Sequence, residues 1–255
     1  MASQLVLSLI SGVFISSSAA YLGTLMISRK MAVVAGPLGH LALPGAALAL
    51  VYGFSISLGA FPFVVLGILL IWLLEIRTKL AMEALTAIVF ATGVATAFLF
   101  LPIDKAEAAL VGDISTVGFY ETLASVMLGT AVVIAINRSY SQIMLISINE
   151  DVAKTEGINV RLFNLIYLSS IAVIVALGVY LVGGLMTAAL VAIPAAAARN
   201  VSITLAQFGT TAGIFGAVSA IAGITCAMYT GLPAGPLVIL ASALIFLITV
   251  PFARV

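Results

Sequence analysis

LVLSLISGVFISSSAAYLGTLMISRK, Leu5 to Lys30, decides the class of this chain. From Leu5 to Ser28 no side chain is charged, and about 20 such residues suffice for a helix to cross the hydrocarbon core of a bilayer. The run ends on Arg29 and Lys30, and because lysine and arginine accumulate on the cytoplasmic face, it leads inward. Nine of the ten basic residues obey the same rule: Arg29, Lys30, Arg77, Lys79, Arg138, Lys154, Arg161, Arg199 and Arg254 all fall where one face of a membrane would put them. Composition points the same way. With 64% apolar and 7% charged residues, the polar surface is too small to cover a water-soluble globule of 255 residues. The reading is an all-α, polytopic transmembrane helix bundle.

Working outward from Arg29, about nine apolar segments alternate in direction, near 5–27, 33–53, 57–75, 82–101, 120–137, 162–182, 184–198, 206–229 and 235–252. The seventh is short and is separated from the sixth only by Gly183 and Gly184, so the count is eight to nine spans. Residues 1–255 form a single transmembrane domain. No lysine or arginine precedes Arg29, so the small residues Ser16 to Ala20 read as part of a retained first helix and not as a signal-peptide cleavage site. The outer side is small and acidic, with Asp104, Glu107, Asp113 and Glu121 against Lys105 alone. At the inner boundary, Glu75 and Glu83 sit beside Arg77 and Lys79 as surface ion pairs of little energetic value.

Several chemistries are excluded. A net charge of +1 without a concentrated basic face argues against a nucleic-acid partner. Cys226 is the only cysteine, which removes intramolecular disulfides and multi-cysteine metal sites and leaves it a packing role. The chain has no GxxxxGK[ST] loop for ATP phosphates, no HExxH, no catalytic GxSxG set and no paired carboxylates within the spans. It is not an enzyme, and it has no source of energy of its own.

Two places remain informative. The longest cytoplasmic connection, Asn137 to Arg161, contains SINEDVAKTEGINVR (Ser147 to Arg161). Its stretch from Asn149 to Glu156 is too polar for the bilayer and predicts a short helix on the inner surface that stops at Gly157. The other is His40, the only histidine, in GPLGHLALPG (Gly36 to Gly45). An imidazole is a transition-metal ligand, and also a common hydrogen-bonded core residue. Pro44-Gly45 interrupts the helix four residues later, which frees backbone carbonyls and lets helices approach.

These residues resemble the membrane permeases of metal-type ABC importers, for zinc, manganese or iron, with the type II importer architecture. SRKMAVVAGPLGHLALPG (Ser28 to Gly45) is similar to the family's RRMAFxGDALxHxxLPG segment. EIRTKLAMEALTAIVFA (Glu75 to Ala91) resembles RTRLxEDTAIGIVF, and LVGDISTV (Leu110 to Val117) resembles LFGDILxV. INEDVAKTEGINVRLFN (Ile148 to Asn164) looks like FDEELARxxGxxVxxxN, and VGGLMTAALVAIPAAAAR (Val182 to Arg199) like VGxLLVxALLxIPAAxAR. GLPAGPLVIL (Gly231 to Leu240) completes the order, so the resemblance covers nearly the whole chain.

The resemblance implies a permease that pairs with a second copy of itself and binds two copies of a separate ABC ATPase, which carries the ATP. It implies an extracytoplasmic metal-binding protein that delivers the cargo, and a bacterial inner membrane. On it, the cytoplasmic coupling segment (about 140–161) docks on the ATPase with Glu150, Asp151 and Gly157 at matching motif positions, while His40 meets the metal beside the break at Pro44 and Gly45. One departure stands out: where the family has an acid four residues before the histidine, this chain has Gly36. A type II permease for another solute, such as a metal chelate, and a non-conducting regulatory subunit are the alternative readings.

Overall fold

The computed structural model describes residues 2–29, 35–54, 56–78, 80, 82–100, 117–184 and 186–253. In chain order the helices are α1 (Ala2–Ser28), α2 (Ala35–His40), α3 (Leu43–Tyr52), α4 (Ile56–Thr78), α5 (Met82–Phe100) and α6 (Phe119–Ile148). They continue with α7 (Glu150–Thr155), α8 (Val160–Val182), α9 (Thr187–Val201), α10 (Leu205–Thr230) and α11 (Ala234–Thr249), which runs into a 3-10 turn at Val250–Phe252. No strand occurs among the described residues. Asp104, Lys105, Glu107 and Asp113 of the external connection, and Lys30, Lys79 and Arg254 of the inner face, lie outside them.

The apolar run that opened the sequence becomes the central rod. α1 packs against α6, α8, α9 and α10, and Ile15, Ala19, Leu22 and Leu25 are fully buried along it. In lipid, apolar side chains gain nothing by leaving their solvent, so helices associate through close packing, and small residues permit it. Gly216 of α10 lies against the Ser16 backbone, and Gly23 of α1 against the Val191 carbonyl of α9. Two hydroxyls of α1 are satisfied by the helix's own carbonyls, Ser18 Oγ donating to that of Phe14 at 2.6 Å and Ser28 Oγ to that of Thr24 at 2.8 Å, while Ser16 Oγ is buried without a partner.

Contacts across α1 reveal which way its neighbours run. Against α10, Tyr21 meets Gly209, Ser17 meets Gly213 and Ser16 meets Gly216, so one number falls as the other rises and the helices are antiparallel. Against α6, Ser11 Oγ donates to Thr122 Oγ1 at 3.0 Å and Tyr21 Oη to Asn137 Oδ1 at 3.0 Å, so the numbers rise together and the helices are parallel. These are the directions that alternate threading demands, with the first and fifth segments leading inward and the eighth leading out. Polar bonds of this kind between membrane helices contribute about 0.6 kcal/mol each.

The span count departs from eight to nine. Among the described residues, six helices are long and apolar enough to cross a bilayer alone: Gln4–Ser28, Leu58–Thr78, Phe119–Ile148, Val160–Val179, Leu205–Thr230 and Ala234–Phe252. Two more apolar helical stretches, Ala84–Thr96 and Thr187–Val201, are shorter. The second apolar segment is broken into α2 and α3, because Pro44 cannot continue a helix that begins before it. The first part of the connection from Asn137 to Arg161 is itself helix. α6 continues to Ile148, since Ser139, Ile143 and Ile146 recur at helical spacing and stay buried. At about 45 Å, α6 outreaches the hydrocarbon layer.

Candidate functional site

The break in the second segment falls at Leu41–Ala42, and both residues are buried. Pro44 takes the first turn of α3, where its missing N–H is tolerated. The same missing N–H deprives the His40 carbonyl of the donor that an unbroken helix would place four residues on. His40 thus ends α2 with a ring nitrogen donor set and a main-chain oxygen released from the helical ladder. Its ring is half-buried, with the Phe90 ring of α5 at 5.3 Å between centroids and a tilt of 39°. Among the described residues, no three His, Cys, Asp or Glu side chains converge to form a metal cage. The surroundings of Gly36 lie outside the described residues.

Gly45 sits inside α3 and not at the break. It faces Gly59 of α4, and each glycine lies where a Cβ would run into the other's carbonyl oxygen. The pair holds α3 against α4 at backbone distance. A second glycine contact holds α2: a Cβ on Gly39 would lie 2.5 Å from the Gly184 carbonyl oxygen, in the link between α8 and α9. Gly184, read in the sequence only as part of a weak joint between segments, therefore backs directly onto the turn of chain that carries His40. The sequence signal was the adjacent pair of glycines, but nothing in it named the partner.

At the cytoplasmic end, α7 spans only six residues and is built from its caps. Asn149 is the N-cap, its Oδ1 accepting from the Asp151 N–H at 3.0 Å and the Val152 N–H at 3.1 Å. Glu150 and Asp151 occupy the first turn, where carboxylates meet the positive end of the helix dipole. Lys154 in the last turn bridges both, at 2.7 Å to Glu150 and 3.6 Å to Asp151. The Glu150 hydrogen bond holds the Lys154 ammonium above its ordinary range. Gly157 ends the helix with φ +76°, and the Ile158 N–H reaches back to the Ala153 carbonyl at 3.0 Å. Asn149→Ala is expected to weaken α7 by about 1 kcal/mol, read as roughly fivefold faster amide exchange over residues 150–155 with the transmembrane helices unchanged.

Sequence reasoning missed Ala153, the one buried residue of α7, which turns toward the bundle while its neighbours face solvent. Of the inner-boundary ion pairs read in the sequence, Glu75 and Arg77 form none, while Lys79 and the Glu83 side chain lie outside the described residues. The only ion pairs among the described residues are those of Lys154. His40, Pro44 and Gly45 cluster in the α2–α3 region, while Glu150, Asp151 and Gly157 cluster around α7, and α8 touches both. α8 begins three residues after Gly157, its N-cap Asn159 accepting from the Leu162 N–H at 3.2 Å, and it ends at the Gly183–Gly184 link behind Gly39. A cleft of about 440 Å³ between α4, α6 and α8 is lined by apolar residues such as Phe61, Leu128 and Val173, with Glu121 as its one carboxylate. It does not include His40.

Residues 1–253 match the ABC 3 transport family. The chain is 29% identical over 255 residues to the high-affinity zinc uptake system membrane protein ZnuB of Haemophilus influenzae, covering 94% of each. It is 24% identical over 249 residues to the manganese transport system membrane protein MntC of Listeria innocua, covering 96% of this chain and 89% of that one. Among solved structures it is similar in fold to a chain of PsaBC from Streptococcus pneumoniae in complex with Fab, with a TM-score of 0.80 at 22% identity over 95% of this chain and 89% of the other.

Proposed function

Because this chain belongs to the ABC 3 transport family, we propose that it is the multi-pass permease subunit of an ATP-driven importer for a divalent transition-metal ion, zinc, manganese or iron. The observation that carries the reading is the family match over almost the whole chain, together with an α2 that stops at the sole histidine. Two copies of the permease enclose the path, a separate ATPase subunit on each supplies the energy, and an extracytoplasmic protein presents the ion. Relatives that are zinc and manganese systems support this cargo class.

In this reading the metal is cargo, and the site must release it. A neutral imidazole nitrogen is a good ligand for zinc or manganese, and the free His40 carbonyl is a second, harder one. So small a donor set suits passage better than retention. The coupling path follows from α8. The ATPase engages α7 through Glu150, Asp151 and the turn at Gly157, and its closure on ATP shifts α7 with the head of α8. A helix of 23 residues is stiff along its axis, so its far end moves Gly184 against Gly39 and with it the turn that holds His40.

The test is uptake of zinc, manganese and iron into vesicles carrying this permease with its ATPase and binding protein. Saturable, ATP-dependent uptake of one metal is expected, falling about tenfold or more in His40→Ala. Uptake driven by an ion gradient without the ATPase would sink the importer reading, and wild-type rates in His40→Ala would remove His40 from the path. Gly36, where the family's motif has an acid, favours one second reading: a permease for a chelated metal, whose ligand supplies the missing donors. Transport of the chelate but not of the bare ion distinguishes it.

A further inference from the structure

We propose that the cleft between α4, α6 and α8 binds a phospholipid of the outer leaflet, one with an ethanolamine headgroup. Its acyl chain fills the apolar trough, and its primary ammonium meets Glu121 and the Leu58 carbonyl at the mouth. The inference needs the chain to span a membrane and does not rest on the importer reading.

The cleft lies in the outer half of the bundle. Leu58 and Tyr120 on its rim belong to the first turns of α4 and α6, which lead inward, and Leu177 to the last turns of α8, which leads out. Leu128 and Val173 mark its deeper end. Glu121 and Leu128 are two helical turns apart, about 10 Å, a depth that stays within one leaflet. α4 and α6 each pack on α8 but hardly on each other, and Phe61, Ala124 and Leu128 are exposed along the gap between them. A trough of about 440 Å³ with so apolar a lining offers water few hydrogen bonds, and at this depth the molecules at hand are lipid chains.

The mouth sets the headgroup. Glu121 is the one carboxylate of the lining, and among the described residues its carboxylate has neither a hydrogen-bond nor an ion-pair partner. The side chain bends back over Gly118, where a Cβ would lie 2.5 Å from Oε2. Across the gap, Pro62 inside α4 has no N–H to give the Leu58 carbonyl one turn back. Both residues line the cleft, so the released oxygen opens on that face, and a main-chain acceptor left bare in lipid is costly. The exposed Tyr120 ring, edge-on to Phe119 at 5.9 Å between centroids, adds an aromatic face. A carboxylate, a carbonyl and an aromatic face together select a cation that also donates hydrogen bonds. A primary ammonium does both, whereas a choline headgroup has the charge without the donors and a glycerol headgroup has donors without the charge. A lipid seated here supports the outer end of α4, whose Gly59 holds α3.

The test uses purified, delipidated permease in detergent and dioleoyl phospholipids with ethanolamine, choline or glycerol headgroups. At a hundred times its Kd, the ethanolamine lipid is expected to raise the thermal midpoint by about 5 °C, and the other two at the same concentration by about 1 °C or less. Equal shifts from all three would overturn the headgroup assignment, and no shift from any would overturn the site. Native mass spectrometry then locates it. Glu121→Gln is expected to weaken binding of the ethanolamine lipid about tenfold, and Ala124→Phe, which puts a ring into the trough, to abolish it. Undiminished binding in Ala124→Phe would place the lipid elsewhere and overturn the proposal. So would a dimer that falls apart in Ala124→Phe while lipid binding persists, since a second copy is then the occupant. Should Ala124→Phe fail to purify, Glu121→Gln decides, and an unchanged affinity there overturns the proposal.

Discussion

Gly45→Val is expected to destabilise the permease strongly. A Cβ at this position falls within the carbonyl oxygen of Gly59, and the Phe63 ring stands 2.7 Å away on the same side, so the obstacle is largely backbone and cannot swing clear. Overpacking usually costs 1–3 kcal/mol, and a clash with main chain across a helix crossing belongs at about 3 kcal/mol or above. Against a typical stability of about 5–15 kcal/mol that is a large loss, and the contact it destroys is the one that holds α3, and thus the turn carrying His40, against α4. The measurement is gel filtration and thermal unfolding in detergent, with Gly93→Ala as control. There a Cβ meets only a Leu41 methyl at 3.7 Å, an ordinary contact, so helix propensity should leave the control as stable as the wild type or up to about 1 kcal/mol more so. A monodisperse Gly45→Val with an unshifted midpoint would show that the α3–α4 crossing does not form.

Ala153→Phe is expected to separate folding from function. A helix of six residues has no stability of its own in water, because the cost of its first turn is never recovered over so short a length. α7 exists because Asn149 caps it, Gly157 terminates it and Ala153 seats it on the bundle with no exposed surface. A phenyl ring cannot occupy that seat, and α7 must lift away or unravel. The long helices do not depend on it, so the variant should purify with a thermal midpoint within about 2 °C of the wild type. On the proposed importer function, ATP-driven metal uptake should fall by about a hundredfold, since an ATPase that docks on α7 would then have no ordered segment to move. Uptake within about twofold of the wild type, with the variant folded, would mean that the energy enters somewhere other than α7.

The two regions were legible to different depths. At α7, the polar stretch from Asn149 to Glu156 and the stop at Gly157 announced a short surface helix, because such a stop is local chemistry written in consecutive residues; the N-cap role of Asn149 emerged only in the structure. The buried face of that helix was not announced, since a single alanine among polar residues carries no periodic signal. Around His40, the proline break was readable because a missing N–H has the same consequence in any context. The close approach of helices at Gly45 was readable too, but its partner, Gly59, was not, nor that Gly45 sits inside α3 and not in the break itself. Glu75 and Arg77, read together in an inner-boundary set of ion pairs, do not pair with each other. Residues two apart on a helix point in different directions, so nearness in the chain does not bring them together.

What the sequence determined by itself is the solvent and the direction of travel. A chain with long apolar runs, alternate ones ending in lysine or arginine, is threaded through a bilayer with those ends inside, because the cost of burying charge acts on every residue independently of its partners. The tertiary structure alone decided which helices touch. In lipid no hydrophobic force selects neighbours, so the choice falls to shape: Gly45 on Gly59, Gly39 on Gly184, Gly23 on Val191, and the polar meeting of Arg29 with Asn164 and Tyr167. Such contacts depend on two surfaces at once, and a sequence read one residue at a time shows only one of them.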